Sequence, residues 1–169
     1  MWRYFVCLNL LLSSLVLTPA VLAEDNASAA ARNTRRQTHL TEVKLKVCQN
    51  RETAIKKRAE NLGRLANSML EKFAAHAQRV EEFYTTKVVP SGKTVANYDS
   101  LVADIQTKKA AVQAGVTQAQ GSLGSFDCTG NDPKGQLTQY KSNMLAVKSA
   151  LKDYRTAIKN LIVAVRSAI

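Results

Sequence analysis

Histidine, acidic and aromatic residues are all scarce in this 169-residue chain, and each scarcity removes a class of function. The two histidines, His39 and His76, are too few and too far apart for a metal centre, and neither has ligand spacing to a cysteine. No Ser, His and Asp set and no Cys and His pair is brought together by proximity in the chain, so nucleophilic catalysis has no evident machinery. Carboxylates number 13 against 24 bases, and the adjacent pair Glu81-Glu82 points to neighbouring faces of a helix rather than to one site. Glycines are few, and the run from Gly121 to Gly130 has no strand before it and no lysine where a phosphate loop needs one. Alternating β segments are missing as well. These absences predict a protein that is not an enzyme and holds neither cofactor nor metal.

What is present begins with a leader. Met1, Trp2 and Arg3 form a short positive start, Tyr4 to Leu17 is an apolar run broken only by Asn9, Ser13 and Ser14, and Val21-Leu22-Ala23 offers a cleavage site before Glu24. The run is 14 residues long, against the roughly 20 that a spanning helix requires. Residues 1–23 therefore read as a signal peptide, with a retained anchor as the alternative. No other stretch is long enough to cross a bilayer, so the expected location is secreted, periplasmic or at the cell surface. Cleavage removes Cys7 and leaves Cys48 and Cys128, an even pair in a compartment where disulfides persist. Closing so long a loop contributes about 4 kcal/mol in the chain-entropy model. The net charge of +11 falls to +10, because the leader takes away Arg3 and no acid.

Residues 24–40 carry no apolar period and end in a basic group, Arg32, Arg35 and Arg36, which predicts a flexible tether. From about residue 41 apolar residues recur at steps of three and four, the spacing that keeps one stripe on one side of a helix. The first stripe runs through Leu45, Cys48, Ile55, Ala59, Leu62, Ala66, Met69, Phe73, His76, Val80 and Phe83, and its helix is expected over about 41–88, ended by Pro90 and Gly92. His76 on this seam is expected to be a packed core residue. A second helix over about 94–122 carries Val95, Tyr98, Val102, Ile105, Val112, Val116, Ala119 and Leu123, with Lys109 out of place. Asp132-Pro133 is an N-cap and first-turn pair for a third helix over about 133–168. Its seam is unbroken from Leu137, Tyr140, Met144, Val147 and Leu151 through Tyr154, Ile158, Leu161, Val165 and Ala168.

The lengths close into one arrangement. Cys48 lies about 63 Å up the first helix from the turn, the second helix climbs back about 42 Å, and the loop before Cys128 reaches the rest of the way. The expected fold is all-α: an antiparallel three-helix bundle of residues 41–169, with long coiled-coil-like helices and one disulfide. A two-helix hairpin that trimerises is the rival.

Charge is distributed unevenly over these helices. Between Pro133 and Ile169 there are seven bases and one acid, Asp153. Lys141, Lys148 and Arg155 are seven apart, as are Lys152, Lys159 and Arg166, so each trio forms a ridge. Lys56, Lys57 and Arg58 belong to a second basic group on the first helix. These nine residues are the candidate anion-binding set, and a merely solvated helix face is the competing reading. Tyr140 and Tyr154 fall on the packing seam, which leaves no aromatic interleaving for single-stranded nucleic acid.

The runs Lys44-Leu45-Lys46-Val47-Cys48-Gln49-Asn50-Arg51-Glu52, Ala96-Asn97-Tyr98-Asp99-Ser100-Leu101-Val102-Ala103-Asp104, Cys128 with Asp132-Pro133-Lys134-Gly135, and Asp153-Tyr154-Arg155-Thr156-Ala157-Ile158-Lys159-Asn160-Leu161-Ile162-Val163 resemble secreted helical proteins of candidate-phyla bacteria, the Saccharibacteria and their relatives. The resemblance implies a small-genome bacterium living on a host cell's surface and carries over no activity and no site residue. In composition the chain also resembles the Skp-like periplasmic chaperones, but the short strands with which that family trimerises are missing. The expected function is an exported binding or structural module for an anionic envelope polymer or a protein partner. A holdase chaperone and a surface nucleic-acid binder are the alternatives.

Overall fold

The computed structural model describes residues 21–169. The expected leader lies outside them except for its last three residues, and so does Cys7. Three helices follow in order: α1 (Val21–Phe83), α2 (Tyr98–Gly124) and α3 (Pro133–Ser167). The described residues divide into two parts, 21–44 and 45–169.

In the first part the stretch expected to be a non-helical tether lies within α1. Every side chain from Ala30 to Lys44 is exposed, so local terms alone shape this backbone. The hydroxyls of Thr34, Thr38 and Thr41 each donate to the carbonyl four residues back, and Arg32 donates to the Ser28 carbonyl. The missing apolar period correctly indicates the lack of a core face, but alanine and arginine favour helix without one.

The second part is the antiparallel three-helix bundle. Its core joins Ala66, Leu70 and Ala77 of α1, Ile105, Val112 and Val116 of α2, and Val147, Leu151, Tyr154, Leu161 and Val165 of α3. The α3 seam is found as expected, buried from Val147 to Val165 and half-buried at its two ends. The α1 seam is not. His76, expected in the core, is exposed, and so are Leu62, Met69 and Phe83. Ala66 is buried as expected, but the other buried positions lie off the expected seam, at Gly63, Leu70 and Ala77 and, just past α1, at Tyr84 and Val88. Helical phase explains the difference: sequence neighbours are about 100° apart around the axis, and where both are apolar the sequence pattern does not choose between them.

At Gly63 a Cβ would meet the end of the Gln120 side chain, whose amide nitrogen lies at 2.7 Å. Gln120 is exposed and its far end is free to swing into solvent. Gly63→Ala is therefore expected to stabilise the protein by about 0.5–1 kcal/mol through helix propensity. Urea denaturation measures this, and a loss of stability would mean that Gln120 does not yield.

Helical structure runs on past α1 through a π turn (Tyr84–Val88) and a 3-10 turn (Val89–Ser91). Pro90 removes a backbone donor from this turn, and the Ser91 hydroxyl donates to the Val88 carbonyl beside it at 2.6 Å. Gly92, at φ 78°, then reverses the chain. The Tyr84 and Tyr98 rings stack at 3.8 Å, and the Val95 N–H donates to the Tyr84 hydroxyl at 3.3 Å. These contacts hold residues 94–97 as a connector, so α2 begins at Tyr98 and not at the expected Thr94.

At the other end Asp132 caps α3 as expected, its carboxylate accepting from the Gly135 N–H at 2.7 Å. Cys48 and Cys128 form the expected disulfide, with Cα atoms 5.7 Å apart. Phe126, which the sequence pattern left in a loop, is fully buried and forms a small second cluster with Leu123 and Cys128 against half-buried Cys48, Ile55, Ala59 and Leu137. The preceding loop is braced by Asp127, whose carboxylate accepts from the Thr129 N–H and hydroxyl. Those two bonds hold its pKa below the usual carboxylate value.

Candidate functional site

Helix geometry arranges the α3 bases more strictly than their two ridges indicate. At about 100° per residue, Lys134, Lys141, Lys148, Lys152, Arg155, Lys159 and Arg166 all fall within about 60° of one another around the axis. The two ridges are one stripe, about 48 Å long at 1.5 Å per residue. Asp153, the acid of this helix, lies about 120° round from Lys141. All seven bases are exposed. Among the described residues the ion pairs are Lys56–Glu52 at 2.6 Å and Lys108–Asp104 at 3.9 Å, and neither involves a base of α3. The stripe is thus a row of positive charge without internal neutralisation.

Beside the first half of the stripe lies an apolar groove. In this region α1 and α3 run parallel, in a register fixed by two contacts. Tyr140 Oη donates to the Ala59 carbonyl at 3.3 Å, and the rings of Phe73 and Tyr154 meet edge to face at 5.9 Å. Because the inward positions of α1 here are Gly63 and Ala66, its bulky residues fall to the side of the seam. Leu62, Leu65, Met69 and Phe73 wall one side of a groove of about 580 Å³, and Met144, Leu145 and Leu151 wall the other. Leu65 is 58% exposed and Leu145 57%, more than surface leucines need to be on a helix that has a core to bury them in.

Lys141, Lys148, Lys152 and Arg155 form the polar edge of this groove, all of them on α3. Tyr140 also lines the groove; its hydroxyl donates to the Ala59 carbonyl, and burial pushes its pKa up. A narrow apolar channel with cations along one lip can bury a greasy surface while neutralising carboxylates or phosphates beside it.

Of the nine candidate residues, four therefore line the groove, and Lys159 and Arg166 extend the stripe beyond it. The α1 candidates stand apart. Lys56 is paired with Glu52 and lines a smaller pocket of about 270 Å³ with Ala59, Gln120 and Tyr140. Lys57 and Arg58 are exposed and line neither space. The residues that sequence reasoning missed are Leu65 and Leu145. Both are leucines off the seam of their helix, and Leu145 is bracketed by Lys141 and Lys148.

Among the described residues no group of three or more His, Cys, Asp or Glu side chains could hold a metal ion, and no helix is long and apolar enough to cross a membrane. Compared with family models, with curated proteins and with solved structures, this chain matches none.

Proposed function

We propose that the protein is a non-enzymatic binding module, secreted or held at the cell envelope, that engages an anionic partner along α3. The observation that carries this reading is the stripe, seven exposed bases in one line with no acid among them. Such a row raises the local concentration of polyanions through its long-range field and gains free energy by releasing their counterions. The leader pattern of residues 1–23 supports the compartment, as does the Cys48–Cys128 disulfide.

Retention on immobilised heparin across a sodium chloride gradient tests it. Strong retention that falls steeply with salt is expected, and each Lys→Gln change at Lys141, Lys148, Lys152 or Lys159 should reduce the log–log salt slope by about 1. Weak retention that is flat across salt would defeat the proposal.

A holdase chaperone is the second reading, favoured by the open apolar groove, and stoichiometric suppression of client aggregation is its signature. Nucleic-acid binding is third. The aromatics of α3 offer it no stacking surface beside the stripe, because Tyr154 is fully buried and Tyr140 is bonded to the Ala59 carbonyl.

A further inference from the structure

We infer that the α1/α3 groove seats an amphipathic α-helix of a partner protein, apolar on its buried face and lined with carboxylates on the edge that lies against α3. This occupant presupposes the anionic partner proposed above and specifies its shape and its second chemistry.

A purely hydrophilic polyanion would answer the stripe but leave Leu62, Leu65, Met69 and Leu145 in water. The occupant must therefore be apolar as well as acidic. Along α3 the groove runs from Tyr140 to Arg155, a length of about 22 Å, or four turns of a helix. Two parallel helices with a channel between them offer a third helix the ridges it packs into, and such grooves take anchors at steps of three and four. The bases then specify the edge. Lys141, Lys148 and Arg155 recur every seven residues, the interval at which flanking charges of one packed helix meet those of the next. They stand on one lip only, which sets the orientation of an acidic edge.

Two other occupants fit less well. An acyl chain with a single anionic head would call for cations at one end of the channel, whereas these are spread along about 21 Å of it. A second copy of this chain would bring an identical stripe against this one, with no carboxylate at the groove of either to meet it.

The test is fluorescence anisotropy on the full-length protein with synthetic 18-residue helical peptides, about 18 residues being one turn longer than the groove. One peptide carries leucine at steps of three and four with glutamate along one edge, and a second has lysine in place of the glutamates. Saturable binding of the glutamate peptide is expected, at least tenfold tighter than the lysine peptide. Leu65→Gln and Leu145→Gln should each weaken it by tenfold or more, with far-ultraviolet circular dichroism confirming that the variants are folded. The double reversal Lys148→Glu and Arg155→Glu should invert the preference between the peptides, an effect that misfolding cannot produce.

Equal affinity for the two peptides overturns the inference, as does binding indifferent to Leu65 and Leu145. Saturable uptake of dodecanoate without peptide binding, or a sedimenting dimer that Leu65→Gln dissociates, assigns the groove to one of the other occupants. If peptide binding fails while heparin retention remains steeply salt-dependent, the helix is wrong and the anionic partner stands. If both fail, both fall.

Discussion

Reduction of the Cys48–Cys128 disulfide is expected to lower the thermal midpoint by about 10–20 °C. The bond closes a sequence separation of 80 residues, and removing that constraint from the unfolded chain is worth about 4 kcal/mol. For a domain of this size 1 kcal/mol moves the midpoint by about 3–5 °C. Noncovalent packing at this end is thin: Leu123, Phe126 and Cys128 are buried, but what α1 sets against them is only half-buried Cys48, Ile55 and Ala59. Loss of the bond should accordingly appear first as faster amide exchange over residues 45–59 and 123–131. Circular dichroism melts with and without reductant measure the shift, and the double variant Cys48→Ser, Cys128→Ser should reproduce it. An unchanged midpoint would show that the end of the bundle holds without its staple.

Tyr154→Ala is the second large effect, a loss of about 3–5 kcal/mol, by analogy with truncation of a buried aromatic ring. Tyr154 is fully buried and lies in the cluster to which all three helices contribute. Its ring meets Phe73 edge to face, a geometry worth about 0.5–1.5 kcal/mol beyond burial. A double-mutant cycle with Phe73→Ala should recover a coupling of that size in urea denaturation. Leu145→Ala, on the same helix but at the groove, should change stability by less than about 0.5 kcal/mol. Comparable losses at the two positions would mean that Leu145 belongs to the core and that the groove is closed.

Different elements of the molecule were legible to different degrees. The α3 seam could be read residue by residue, because its apolar side chains alternate without interruption and Asp132-Pro133 marks its start unambiguously. The disulfide followed from counting cysteines once residues 1–23 were read as a leader. On α1 the same reasoning slipped by about one position. Leu62 and Gly63, Met69 and Leu70, His76 and Ala77, and Phe83 and Tyr84 are neighbours in sequence and about 100° apart around the axis, so one apolar sector holds both members of most pairs. The stripe was present in the numbering of the bases and needed only the helical angle to emerge. The groove could not be read in this way, because its walls exist only once α1 has been rotated against α3.

The position and cap of α3, the cysteine pairing and the single line of positive charge are thus properties of the amino-acid order, since each arises from interactions within a few residues or from simple counting. Which face of α1 turns inward was decided by the tertiary structure. Side chains are buried only where α2 and α3 lie against α1, and that contact takes in Gly63, Ala66, Leu70 and Ala77 and leaves out Leu62, Met69 and Phe83. Those bulky residues are left at the surface, and Leu62 and Met69 become part of the wall of the groove.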